Sequence, residues 1–229
     1  MKFASEELKN KFKQHGSLII AAGLFIATFL ITMFVMKACN YVEIDRFEVG
    51  RTVREIVDGE DGEVVATING TSYYEKDLLL VAEMLKLSEP TYTKLNENQV
   101  RLLAGDALVQ QKLLLHEFDR LSLEITDEEF NNFFEQEKQE AFEIVSLNND
   151  DSKALLDYIS GYGCTYTEYW EDEYVIQSYK DNLKFDTVKK HICTELGYTK
   201  VSAIAIERYL TGLIEDGTYN ITLFGEEFK

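Results

Sequence analysis

Proline is all but missing from this chain, with Pro90 the single one in 229 residues, which excludes a Pro-rich linker protein. Cysteine is nearly as scarce. Cys39, Cys164 and Cys193 stand far apart with no C-x-x-C pair, so a disulfide scaffold and a zinc ribbon are both excluded. A bond between Cys164 and Cys193 is left open by the sequence. Positive charge is in deficit: 23 Lys and Arg face 41 Asp and Glu, a formal net charge of -18. No basic stripe exists to follow a phosphate backbone, and nucleic acid is not an expected partner. The common catalytic signatures are missing too, since G-x-S-x-G, G-x-x-x-x-G-K-[ST], H-E-x-x-H and G-x-G-x-x-G do not occur. Gly161-Tyr162-Gly163 lacks the third glycine and a preceding strand, and reads as a helix break. His15, His116 and His191 are single, without a second ligand at i+3 or i+4, so no metal and no cofactor is expected. With so many carboxylates, acid pairs arise by chance and read first as a solvated face.

What is present suffices for a core. Apolar residues make up 45% and aromatics 12%, enough to offset the entropy of ordering a domain. The run Ser17–Met36 carries no charge over 20 residues. As a helix it would span about 30 Å, the thickness of a bilayer's hydrocarbon core. Lys2, Lys9, Lys11 and Lys13 outnumber Glu6 and Glu7 before it, which keeps the N-terminus cytoplasmic by the positive-inside rule. The run is too long for a cleaved signal peptide, and Lys37 spoils a lipobox at Cys39, although its lipidation is left open. The expected layout is a cytoplasmic tail at 1–16, a transmembrane helix at 17–36, a linker at 37–62 and an acidic extracytoplasmic domain at 63–229.

Within that domain a β-branched run, Glu63–Ile68, is stopped by Asn69-Gly70 and reads as a strand and turn. Asp58–Gly62 has no calcium-loop spacing, because Gly62 falls where a ligand is needed. Helical spacing then takes over. One helix runs from Asp77 to Leu87. A longer one, between Asn96 and Leu121, carries Val100, Leu103, Ala107, Leu114 and Phe118 on one stripe. Thr126 with Glu129 and Thr165 with Glu168 are capping boxes opening two more helices, the second expected to reach about Leu183. A last helix covers about Val201 to Ile214, and Tyr219–Phe224 alternates like a strand. The expected fold class is mostly α: one N-terminal membrane helix, then a multi-helix domain with a small sheet that pairs its first and last strands.

Aromatics crowd residues 158–179: Tyr158, Tyr162, Tyr166, Tyr169, Trp170, Tyr174 and Tyr179. Tyrosine is apolar along its ring and polar at its tip, which suits a half-wet surface. Tyr162, Tyr166, Tyr169 and Trp170, with Phe133 and Phe134 on the preceding helix, are the candidate peptide-binding residues. Packing between helices is the competing reading of the same rings.

Val64-Val65-Ala66-Thr67-Ile68-Asn69-Gly70 followed by a helix at Asp77-Leu78, then Ala107–Glu117, Leu121–Phe130 and Gly163–Gln177 in that order, resemble the N-terminal chaperone domain of SurA- and PrsA-type extracytoplasmic foldases. The resemblance covers about residues 63–185. It implies a membrane-anchored, extracytoplasmic chaperone that binds unfolded or nascent exported polypeptides. Those foldases often carry an inserted parvulin-type prolyl isomerase domain. The segment between Leu183 and Val201 cannot hold one, so no enzymatic activity is expected. A structural docking module of a cell-envelope assembly is the alternative reading of the same domain.

Overall fold

Asn69 and Gly70 both take positive φ, 48° and 84°, the geometry of a two-residue hairpin turn whose twist matches that of its strands. They join β1 (Val64–Ile68) to β2 (Thr71–Tyr74), with Ile68 paired to Thr71. The computed structural model of the chain describes residues 44–88, 92 and 94–224. Its third strand, β3 (Ile221–Leu223), lies antiparallel on the other edge of β1, with Ala66 opposite Leu223. The sheet order is therefore β2-β1-β3. Asn69 secures the closure, its Nδ2 donating to Thr218 O (3.1 Å) while its Oδ1 accepts from Asn220 N (2.8 Å).

Eight helices make up most of the described residues. The first, α1 (Arg46–Asp58), is opened by Asp45, whose Oδ1 accepts from Glu48 N (3.0 Å). Next come α2 (Glu75–Ser88) and α3 (Glu97–Arg120), then α4 (Asp127–Ser146) and α5 (Asp150–Gly161). A single turn, α6 (Tyr166–Tyr169), leads to the long α7 (Glu173–Glu195), and α8 (Ala203–Glu215) precedes β3. Reciprocal capping boxes form at Asn96/Gln99, Thr126/Glu129, Asn149/Ser152 and Thr165/Glu168. Each leaves fewer amides unsatisfied at a helix start.

Three buried clusters hold these elements together. An aromatic one joins α1, α2, α4, α5, α6 and the first half of α7. A second packs α3, the end of α7 and α8 against the sheet. The third lies between β1, α2 and α3. The long helix α7 contributes to the first two and ties them together.

Several expectations are corrected here. The expected membrane helix, 17–36, lies outside the described residues, and no described helix is long and apolar enough to cross a membrane. The fold class is thus a mostly helical domain with a three-stranded antiparallel sheet; β2 is the strand missing from the sequence reading. The segment expected as linker contains α1, packed directly on α5. Its buried positions are Arg46, Val49, Gly50 and Val53, helically spaced but only half apolar, which blurred the periodicity. The capping box at Thr165 opens only one turn. Asp172 then caps α7, accepting from Tyr174 N (2.9 Å) and Val175 N (3.3 Å), and α7 runs on to Glu195 instead of stopping near Leu183.

Candidate functional site

The six aromatic residues singled out from the sequence meet in one cluster. Phe134 sits edge-on to Trp170 (5.7 Å between centroids) and to Tyr179 (5.3 Å). Tyr169 does the same to Tyr162 (5.7 Å) and Trp170 (5.6 Å), while Tyr166 reaches Trp170 and Phe133 reaches Tyr179. Such pairs are each worth about 0.5–1.5 kcal/mol beyond the area they bury. Tyr162, Tyr169, Trp170 and Phe134 are all buried. Tyr162, Tyr169 and Phe134 build core, whereas Trp170, with Tyr166, lines an open depression of about 280 Å³ between α4 and α6. Tyr166 and Phe133 are half-buried at the edge of the cluster. Asp172 fixes the cluster to α1: it accepts from the Tyr162 hydroxyl (3.0 Å) and from Arg54 Nη1 (2.9 Å).

An open apolar feature lies elsewhere. A cleft of about 160 Å³ separates α2, α3 and α7. Leu80, Val81 and Met84 of α2, Leu108 and Leu115 of α3 and Phe185 of α7 supply its walls. Its polar groups are mostly engaged with one another. Lys112 Nζ donates to Asp77 Oδ1 (2.7 Å), Gln177 Nε2 to Asp181 Oδ1 (2.9 Å) and Ser178 Oγ to Tyr174 O (2.8 Å). Burial pushes the Asp181 carboxyl up, against the opposing pull of Lys184, Gln177 and Lys112. Asn182 is the exception. Only 4% exposed, it is one of the lining residues, and its buried Nδ2 finds no hydrogen-bond partner among the described residues. The signal in the sequence was there: Asn182 interrupts the stripe Val175, Tyr179, Phe185 on an otherwise well-buried helix face.

Three buried carboxylates, Glu117, Glu137 and Asp186, escaped the sequence reading, and two of them are raised. Glu137 follows Phe134 by three residues on the buried stripe of α4, and Asp186 lies on α7, which packs against α4. Burial, reinforced by the charges of Glu140 and Asp186, pushes Glu137 up to about 8. Burial pushes Asp186 up to about 7 despite the nearby Lys189 and Lys190. A carboxyl whose folded value is raised holds its proton more tightly in the folded state. Its stabilising share is complete below the unfolded value and is lost as pH rises through the folded one. The chain should therefore lose several kcal/mol of stability between pH 5 and pH 8, at about 1.4 kcal/mol per pH unit for each carboxyl until its folded value is passed. Urea unfolding of the full chain, followed by the fluorescence of Trp170, its only tryptophan, reads this directly. The double variant Glu137→Gln, Asp186→Asn should flatten the profile; an unchanged slope would refute the assignment.

Other polar groups serve the framework. Glu117 is fully buried and accepts from Arg120 Nε (2.6 Å), Arg120 Nη2 (2.8 Å), the Tyr209 hydroxyl (2.9 Å) and the Tyr219 hydroxyl (2.7 Å). Burial pushes its carboxyl up, but Arg120, Tyr219 and Tyr209 together outweigh this and hold it below the usual range. His116 Nε2 lies 2.7 Å from the Tyr73 hydroxyl oxygen. Cys164 and Cys193 are free thiols, and no group of three metal-ligating side chains comes together among the described residues.

No family model, no curated protein and no solved structure matches the chain. The resemblance to SurA- and PrsA-type domains rests on the sequence motifs alone.

Proposed function

We propose that this chain is a membrane-anchored, extracytoplasmic chaperone-like protein that holds unfolded exported polypeptides without chemically altering them. The observation that carries the reading is the cleft between α2, α3 and α7, in which Leu80, Val81, Met84, Leu108, Leu115 and Phe185 stand among polar side chains, set in a strongly acidic molecule. Apolar walls shelter hydrophobic segments of a client, and Met84 adds an adaptable surface that tolerates unlike side chains. The net charge of -18 keeps loaded copies apart. The uncharged run at 17–36 supports the anchor, and the sequence motifs at 64–70, 107–130 and 163–177 support the chaperone class. Only residues 196–202 separate α7 from α8, which supports a non-catalytic role.

The test is aggregation of unrelated denatured proteins in the presence of the full chain held in lipid nanodiscs. Light scattering should fall in proportion to added chain, for more than one client, without ATP. A docking module for one folded envelope partner would leave the scattering of every client unchanged.

A further inference from the structure

The far edge of β3 is open. In its pairing with β1, Asn69 N donates to Asn220 O (2.9 Å) and Phe224 N to Val65 O (2.8 Å), with Thr222 opposite Thr67 between them. Main-chain direction alternates along an antiparallel strand, so residues 220, 222 and 224 turn theirs to β1 while Ile221 and Leu223 turn theirs outward. The sheet ends there. No described strand lies beyond β3, and no described group bonds the outward N–H or C=O of either residue. Natural edges are commonly blunted by a lysine, a proline or a bulge, and Ile221–Leu223 has none of these. On the opposite side of the sheet the β1–β2 register shifts between Val64 and Ala66, and β2 runs straight into α2. Leu223 is 36% and Phe224 44% exposed, so apolar surface accompanies the open main chain.

A second copy of the chain matches this edge poorly. Two three-residue strands bury far less than the roughly 1,200 Å² of a stable specific interface, and the contact would bring together two molecules of net charge -18. An extended segment of an unfolded chain needs no matching surface, and a basic one is attracted. Acids stand at both ends of the edge, Glu215 and Asp216 before β3 and Glu63 before Val64, while the nearby Arg120 is taken up by Glu117. A residue opposite Ile221 or Leu223 in antiparallel pairing shares their face of the sheet, where Ile221 packs on the second buried cluster. Apolar side chains at alternate positions of an incoming strand would therefore cover Leu223.

We propose that β3 accepts an extended, basic segment of an unfolded polypeptide as a fourth, antiparallel strand, whose alternate apolar residues exchange main-chain hydrogen bonds with Ile221 and Leu223. This rests on the chaperone reading and adds a second hold on the client. Main-chain bonding is indifferent to side-chain identity, so the edge selects clients by alternation and charge and not by sequence.

The experiment uses the full chain in nanodiscs and reads the anisotropy of two fluorescein-labelled probes. One is reduced and carbamidomethylated lysozyme; the other is a peptide of about ten residues alternating lysine with valine. A second form of the peptide carries N-methyl groups on its valines, which removes the donors to Ile221 O and Leu223 O and keeps every side chain and charge. Its Kd should be at least about tenfold higher. Leu223→Pro removes an outward donor from the protein instead, one that makes no bond to β1. It should weaken binding of the unmethylated peptide about fivefold and leave the urea midpoint, read through Trp170, close to the parent's. Equal binding of the two peptide forms overturns the proposal whatever the variant does, because the protein is the same in that comparison; if unfolded lysozyme still binds, the chaperone reading survives. If neither probe binds, the chaperone reading itself fails. Association between chains in separate nanodiscs that Leu223→Pro abolishes, without peptide binding, would make the edge a contact between copies and overturn the proposal as well.

Discussion

Gly161→Ala is expected to lower the stability of the chain by about 3 kcal/mol, although alanine is the better helix former by about 1 kcal/mol. The sign is set by the crossing of α1 and α5. A Cβ on Gly161 would meet Phe47 O at 1.9 Å, and one on Gly50 would meet Tyr158 O at 2.1 Å and Tyr162 N at 2.8 Å. These neighbours are backbone atoms of helices, which cannot swing aside as the end of a long side chain can. The helices must separate, and Val49 and Val53 of α1 then lose contact with the aromatic cluster that includes Tyr158 and Tyr162. Gly50→Ala should act in the same direction. The double variant should cost less than the two single costs combined, because one separation relieves both clashes. Urea unfolding followed by Trp170 fluorescence measures all three. A neutral or stabilising Gly161→Ala would show that the two helices do not approach so closely.

Glu117→Ala should be comparably damaging, about 3 kcal/mol, through a different cause. The carboxylate gathers Arg120 from its own helix, Tyr209 from α8 and Tyr219 from the approach to β3. Removing it strands the buried Tyr219 hydroxyl and weakens the hold on the closing strand at the same time. Tyr219→Phe deletes only one bond to a charged acceptor and should cost about 1.5–2 kcal/mol. Acid should imitate the larger change. The Glu117 carboxyl is held below its usual range, so its stabilisation is present above the unfolded value and is lost as pH falls through the folded one. Unfolding midpoints from pH 5 down to pH 2 check this: the parent should lose stability more steeply than Glu117→Gln. Equal slopes would remove Glu117 from the account.

The parts of the fold that were legible in the sequence are those written in short-range chemistry. Thr126 with Glu129 marks the start of α4 because the two side chains satisfy each other's backbone amides within one turn, whatever the rest of the chain does. Asn69-Gly70 marks the hairpin turn for a comparable reason, since both residues tolerate positive φ. α1 was illegible because what it buries includes an arginine and a glycine, and the glycine matters only once α5 lies against it. β2 was hidden by its position. Thr71–Tyr74 is too short to show a period and takes its structure from pairing with β1.

The same division applies to the site. The sequence singled out Tyr162, Tyr166, Tyr169, Trp170, Phe133 and Phe134 as peptide-binding residues, and the structure packs them into one aromatic cluster. Which side of a tyrosine faces water is decided by long-range packing, and here Phe134 of α4 and Tyr179 of α7 pack on Trp170 while Tyr162 and Tyr169 are buried. The cleft draws Leu80 and Met84 from α2, Leu108 from α3 and Asn182 from α7, residues whose contact depends on how three helices meet. No spacing along the chain announces such a meeting.

The claim that this chain holds unfolded polypeptides is tested most directly by comparing its affinity for one protein in two states. The full chain in nanodiscs is titrated with several unrelated proteins, each presented both native and permanently unfolded, and binding is read by fluorescence anisotropy. Micromolar binding of every unfolded form, with none of the native forms, is the predicted result. Binding of a single native protein, or indifference to all the unfolded ones, would contradict it.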